Sequence, residues 1–236
     1  MLAQPFEIFS NSHLLTLLII VLIAFLLPTL IDSKEEKNKF LIARILGLSA
    51  ITLELIKPFI WHYGMDFPWS RLIPIHMCNL STLFIGIFLL TERRIFFEVS
   101  FFWGIGGGIN ALLTPDVPLT FPDPQYILFF FGHGLLLVCI VYACKALKNR
   151  PTLKSVKNGI YFSLAVLPII YVINILIGPP ANYWYLGTKP AGSSVLDYFP
   201  DPPLHIPLLI IIGAVLFFVI YSPYWLYDKF KTKDAQ

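Results

Sequence analysis

Residues 13–31 read HLLTLLIIVLIAFLLPTLI, nineteen consecutive positions with no charged side chain. A stretch of that length and apolarity matches the ~30 Å hydrocarbon thickness of a bilayer at the ~1.5 Å rise of an α-helix. The residues before it, MLAQPFEIFSNSH, contain Glu7 and no Lys or Arg. A secretory leader needs a basic start, so the stretch is expected to be a retained first membrane helix. If one segment requires lipid, the rest of the chain must satisfy its backbone under the same constraint, and only helices or closed barrels do so.

The remaining composition agrees. Of 236 residues, 57% are hydrophobic and 13% charged, against about 25% charged in soluble domains. Apolar runs near 20 residues recur, predicting helices at about 13–31, 40–60, 72–91, 95–113, 126–147, 159–178 and 204–227, with residues 228–236 as a basic tail. The expected fold is an all-α membrane protein, one seven-transmembrane-helix bundle. Of the 17 basic residues, 14 fall on one set of alternating connections: Lys34, Lys37, Lys39, Arg44, Arg93, Arg94, Lys145, Lys148, Arg150, Lys154, Lys157, Lys229, Lys231 and Lys233. Lys57, Arg71 and Lys189 lie on the other. The positive-inside rule then places the N-terminus outside and the C-terminus in the cytoplasm. Trp61, Trp69, Tyr183, Trp184 and Tyr185 are expected as aromatic anchors at outer ends, and Tyr221, Tyr224, Trp225 and Tyr227 at an inner one. No basic stretch interleaved with aromatics suggests nucleic-acid binding.

With directions assigned, polar residues from several helices gather at one shallow outer level. Cys78 is expected about 9 Å inward from the start of the third segment, and His133 at a similar depth in the fifth. Glu54 shares that layer, with Lys57 one turn above it; Asn110 and Asn174 join from the fourth and sixth, and His205 stands at the entrance of the seventh. Ionisable side chains within a membrane usually face a bundle interior or wet cavity and mark function. On a regular helix His76 and Cys78 point about 200° apart, which pairs His76 with Asn79 and sends Cys78 to another helix for a base. His133, between Gly132 and Gly134, is the candidate, and Glu54 could orient it. Pro74 suits a first helical turn, leaving Cys78 beyond the strongest reach of the helix dipole.

Structural alternatives stand beside each assignment. Glu54 and Lys57, three apart, form an i,i+3 ion pair as readily as a catalytic element. His133 could be interhelical glue, and Cys139 and Cys144 packing residues. No HExxH or CxxC spacing proposes a metal, and no cofactor motif is present. GIGGG at 104–108 lies inside an apolar helix, so close helix packing explains it better than a nucleotide loop. The connection PPANYWYLGTKPAGSSVLDYFPDPPLH, 179–205, is expected to be an ordered cap, either an interfacial loop or a lid over the polar layer.

Four ordered motifs carry a resemblance: IPIHMCNLS, WGIGGGINALLTPD, FFGHG and NYWYLGTKP. Across about residues 67–207 the chain resembles the YwaF family of bacterial integral membrane proteins, related to animal multispanning proteins described as cysteine-dependent acyltransferases for ether phospholipids. The resemblance is weak over the first 66 residues and absent from the tail. It implies acyl transfer on membrane phospholipids in a bacterial cytoplasmic membrane, with Cys78 as nucleophile and His133 as base. Glu54, Lys57, His76, Asn79, Asn110 and Asn174 are the candidate supporting residues from the polar layer. An outward-facing site is out of reach of soluble acyl-CoA, so a phospholipid is the expected acyl donor and a second lipid the acceptor. A lipid- or solute-binding or transport protein using the same polar layer is the alternative, and a non-catalytic accessory bundle a third.

Overall fold

The computed structural model describes residues 4–32, 35–189 and 195–233. Among these the regular structure is helical. The helices are α1 (Asn11–Asp32), α2 (Glu36–Met65), α3 (Met77–Thr91), α4 (Arg94–Trp103), α5 (Ile109–Leu113), α6 (Pro124–Lys145), α7 (Leu153–Ile177) and α8 (Ile206–Lys233). A π-helical turn, Gly104–Gly108, joins α4 to α5, so Arg94–Leu113 runs as one rod. Counted that way, the described residues form seven helices, each coinciding with one expected segment.

Five are long and apolar enough to cross a bilayer: Asn11–Ile31, Arg94–Leu113, Pro124–Lys145, Leu153–Ile177 and Ile206–Lys231. α3 is apolar but has only 15 residues. α2 has 30, with Glu54, Lys57 and His62 in its second half. Several boundaries differ from expectation. α3 begins at Met77 rather than 72, because Trp69–Arg71 forms a separate 3-10 turn and Ile73–His76 is irregular. Pro74 is therefore not a first-turn residue. α8 continues through the expected tail to Lys233, while Lys34 and residues 234–236 lie outside the described residues.

The chain divides into two compact units, Met1–Lys57 with Cys78–Arg150, and Pro58–Met77 with Pro151–Gln236. In the first, α1 packs on α6 where Gly134 faces Ile20; an added Cβ there would lie 3.0 Å from Ile20 Cγ1. α2 and α3 meet through reciprocal glycines. A Cβ at Gly47 would lie 2.8 Å from the Gly86 carbonyl oxygen, and one at Gly86 would lie 2.9 Å from that of Gly47. Small residues allow this backbone approach, which supplies dispersion contact where lipid removes the hydrophobic driving force. Phe88, Phe97, Phe102, Trp103, Leu136 and Ile140 fill the interior.

Polar pins close the ends of this unit. His13 is wholly buried. Its Nε2–H donates to Leu112 O at 2.8 Å, and its Nδ1 accepts from Phe9 N–H at 3.0 Å. The leading segment pairs with the connection after α5 through Phe6 N–H to Pro118 O and Thr120 N–H to Gln4 O. At the other end, Tyr142 Oη donates to Lys39 O, and Arg94 bridges Glu98 and Arg150 O.

In the second unit, α7 packs along α8, and the connection after α7 folds into a cap. Asn174 exchanges two hydrogen bonds with the Tyr183 backbone, at 2.9 and 2.8 Å. Tyr183 Oη donates to Ser70 O and accepts from Ile73 N–H. Trp184 Nε1–H donates to Ile75 O at 2.8 Å. These bonds hold Trp184 and Tyr185 at φ of +59° and +54°, a left-handed conformation that bulky side chains rarely adopt. Tyr183 and Trp184 are buried and so form the core of the cap, in place of the interfacial role expected of them. Burial pushes the Tyr183 phenol above its ordinary pKa, which keeps its proton available to Ser70. Residues 190–194 of this connection lie outside the described residues.

The reciprocal glycine contact gives a direct expectation. Gly47→Ala forces apart two backbones with no flexible side chain to yield, and is expected to cost about 1–3 kcal/mol. Gly213→Ala on α8 meets nothing within 4 Å and is expected to leave stability unchanged or slightly raised. Thermal unfolding of the detergent-solubilised protein measures both.

Candidate functional site

The site residues of the first unit come from three helices and the π turn. α2 supplies a buried carboxylate. Glu54 is 1% exposed, and a naked charge at that depth would be costly. Its Oε1 accepts from Lys57 Nζ at 2.5 Å and its Oε2 from Asn79 Nδ2 at 2.7 Å. The i,i+3 spacing puts Lys57 on the same helical face, while Asn79 arrives from α3 and ties the two helices. The expectation that Glu54 orients His133 is not met: among the described residues no hydrogen bond joins them, and the carboxylate belongs to Lys57 and Asn79.

α3 begins one residue before Cys78. Cys78 and Asn79 thus lie among the first four residues, whose amides an α-helix leaves without an intrahelical partner, at the positive end of its dipole. The sequence placed Cys78 deeper in the helix, past that influence. Thr82 Oγ1 donates back to Cys78 O at 2.9 Å. The half-buried thiol faces the π turn, where a Cβ added to Gly107 would lie 3.2 Å from Sγ.

α6 supplies His133. Its Nδ1 lies 2.9 Å from Phe129 O. A carbonyl only accepts, so Nδ1 carries the proton and the neutral ring presents Nε2 as its basic nitrogen. The ring also packs against Phe129, tilted by 35° at a centroid distance of 4.3 Å. Orientation of the histidine therefore comes from a carbonyl one turn back. Beside it, a Cβ at Gly132 would stand 3.8 Å from Lys57 Nζ. Lys57 of α2 and Asn79 of α3 share the Glu54 carboxylate, and Gly132 of α6 lies beside the Lys57 ammonium, so α2, α3 and α6 meet around this ion pair.

The other expected members are elsewhere. Asn110 is exposed on α5, where its carbonyl oxygen accepts from Thr114. His76 precedes α3 and lies in the second unit, packed on Tyr183 at 4.8 Å and Tyr185 at 6.3 Å. Asn174 is spent on the Tyr183 backbone, and His205 Nε2–H donates to Tyr185 O at 2.8 Å. These three organise the cap. Gly107 is the site member that sequence reasoning missed; its glycine run was read as helix packing alone. Among the described residues, no three His, Cys, Asp or Glu side chains form a metal-ligand group. A cavity of about 320 Å³ in the second unit is lined by Tyr171, Asn174, Asn182 and prolines. Its two amides are already bound to backbone: Asn182 Oδ1 accepts from Gly187 and Thr188.

Long apolar helices enclosing a paired carboxylate and ammonium define an integral membrane protein of the multispanning helical class. The chain belongs to the TMEM164 family, whose model matches residues 8–221. The match reaches further toward the N-terminus than the motif resemblance to the YwaF family. The chain is also 25% identical over 224 residues to an uncharacterized protein of Treponema pallidum (strain Nichols), covering 94% of this chain and 88% of that one. No solved structure matches it.

The ion pair predicts a non-additive response. Lys57→Met leaves the buried Glu54 charge with only Asn79, and is expected to cost about 3–5 kcal/mol. Glu54→Gln with Lys57→Met removes both charges and is expected to recover most of that loss. Denaturation of the two variants in the same micelles measures the difference.

Proposed function

We propose that this protein is a membrane-embedded acyltransferase that moves a fatty acyl chain between lipids through a thioester on Cys78, with His133 as the general base. The observation that carries the proposal is that α2, α3 and α6 meet around the Glu54–Lys57 pair, with a thiol at the N-terminus of α3 and, on α6, an imidazole with Nε2 as its basic nitrogen. Family membership supports a membrane setting, and the relation of the motifs to cysteine-dependent acyltransferases supports the chemistry.

In the first half-reaction the Cys78 Sγ–H proton passes to His133 Nε2 as sulfur attacks the ester carbonyl carbon of a donor phospholipid. The acyl C–O bond breaks, and the imidazolium returns the proton to the departing lysolipid oxygen. In the second, His133 takes the hydroxyl proton of an acceptor lysolipid, whose oxygen attacks the thioester. Sulfur leaves and regains the proton. The α3 amides near Cys78 and the Lys57 ammonium favour negative charge on the carbonyl oxygen at each tetrahedral stage. Glu54 and Asn79 hold Lys57 and α3 in register for that role.

The proposed arrangement spans the bilayer seven times, with the N-terminus outside, the C-terminus cytoplasmic and the site near the outer face of a bacterial cytoplasmic membrane. A phospholipid donor follows from that placement. A binding or transport role would use the same polar layer without needing the thiol.

Two measurements test these points. Purified protein in phospholipid vesicles with an isotope-labelled lysolipid is expected to form labelled diacyl product. Cys78→Ala is expected to abolish it, and His133→Ala to lower it by about 10²–10⁴-fold. Undiminished product with Cys78→Ala would sink the thioester mechanism, and no product from the unsubstituted protein would leave the binding role. For topology, a reporter fused after the C-terminus is expected to be active only if it functions in the cytoplasm; activity confined to a periplasmic reporter reverses the orientation.

A further inference from the structure

The glycines of the π turn do not share one purpose. A Cβ at Gly104 would run into Ile140 and lie 3.2 Å from Leu136 Cδ1, and one at Gly108 would lie 3.4 Å from Leu136 Cδ2. Both serve the approach of α6. Gly107 faces away from that contact: within 4 Å, the atom its Cβ would meet on a neighbouring element is Cys78 Sγ, at 3.2 Å. Its φ is not in the left-handed region, so backbone conformation does not require glycine either. Neither packing nor geometry accounts for the missing side chain. The sulfur it faces does.

Gly104 and Gly108, four residues apart, present one face of the rod to α6, and Gly107 lies to the side of it, toward Cys78 on α3. The π turn that holds all three is a departure of the kind that recurs at functional sites. Apart from Cys78 Sγ, no atom of a neighbouring element lies within 4 Å of the place a Cβ at Gly107 would take. A thioester needs such room, because the acyl carbonyl and its first methylenes must lie directly against the sulfur, and close packing elsewhere in the unit leaves little slack.

We infer that Gly107 is a specificity-determining position: the side chain it lacks is the slot beside Cys78 Sγ that admits a long, unbranched acyl chain. The inference rests on the proposed thioester chemistry, and it deepens that reading by assigning the place where the chain lies. A substituent as small as a methyl group fills the slot. Cys78 then remains able to react with compact electrophiles, for which rotation of the thiol suffices, and loses those that trail an alkyl chain.

Alkyl methanethiosulfonates test this without any acyl transfer, since the thiolate displaces methanesulfinate and takes the S-alkyl group as a mixed disulfide. Methyl and dodecyl reagents are applied to the protein in nanodiscs, and modification of the Cys78 peptide is followed by mass spectrometry. In the unsubstituted protein Cys78 is expected to accept both. Gly107→Ala and Gly107→Ser are each expected to lower the dodecyl-to-methyl rate ratio by about tenfold or more, whereas Gly108→Ala changes it by less than about threefold. Two substitutions at 107, with melting temperature recorded for each, guard against loss of fold in one. A ratio unchanged by both, a parallel fall with both reagents, or an unsubstituted Cys78 closed to the dodecyl reagent overturns the inference. Labelling that follows the expected pattern in a protein with no acyl transfer would leave the slot standing and remove the proposed reaction.

Discussion

The Glu54 carboxylate, held between the Lys57 ammonium at 2.5 Å and the Asn79 amide at 2.7 Å, is the constraint on which the site depends. In an apolar surrounding a carboxylate cannot be left without partners, so the geometry of α2 and α3 around it is not free to drift. Asn79 is the residue after Cys78, and fixing its amide fixes the first turn of α3 and with it the thiol. Lys57 is held by the same carboxylate, and Gly132 of α6, the neighbour of His133 in sequence, lies beside its ammonium. Removing the charge at 54 therefore loosens three helices at the position where they meet.

Backbone proximity and polar pinning divide the work in the first unit. Gly47 against Gly86, and Gly134 against Ile20, set helix spacing by leaving out side chains. The hydrogen bonds of His13, Tyr126 and Tyr142 then fix axial register, because each joins a side chain to a partner about 100 or more residues distant. Packing alone between apolar helices in lipid is permissive of sliding, whereas a buried polar pair left unmade is expensive. The second unit uses the same logic in its cap, where one asparagine, Asn174, accepts from and donates to the backbone of a single residue.

Much of this was legible in the sequence, and the failures have identifiable causes. Seven apolar segments predicted seven helices because the bilayer imposes length and composition on each, leaving little to tertiary context. The i,i+3 spacing left a Glu54–Lys57 ion pair as one of two open readings, which the structure decides in its favour, and a histidine between two glycines announced a close helix approach. The start of α3 was misplaced because Pro74 is acceptable in a first helical turn. What holds Ile73–His76 out of the helix is Tyr183 and Trp184, more than 100 residues on, bonding to Ile73 N–H and Ile75 O. His76 followed that error. The bond from Asn79 to Glu54 crosses 25 residues and has no local sequence signature. Gly107 was hidden for a different reason: GIGGG was read as one packing element, and the sulfur that distinguishes Gly107 from its neighbours lies on another helix.

Mass analysis of the protein quenched after exposure to a diacyl phospholipid, with no acceptor present, tests the central claim most directly. The account predicts one acyl mass on the Cys78 peptide, released by neutral hydroxylamine and discharged when a lysolipid is added. Transfer to a lysolipid that proceeds with no acyl group ever found on Cys78, or with the adduct on Cys139 or Cys144, would contradict it.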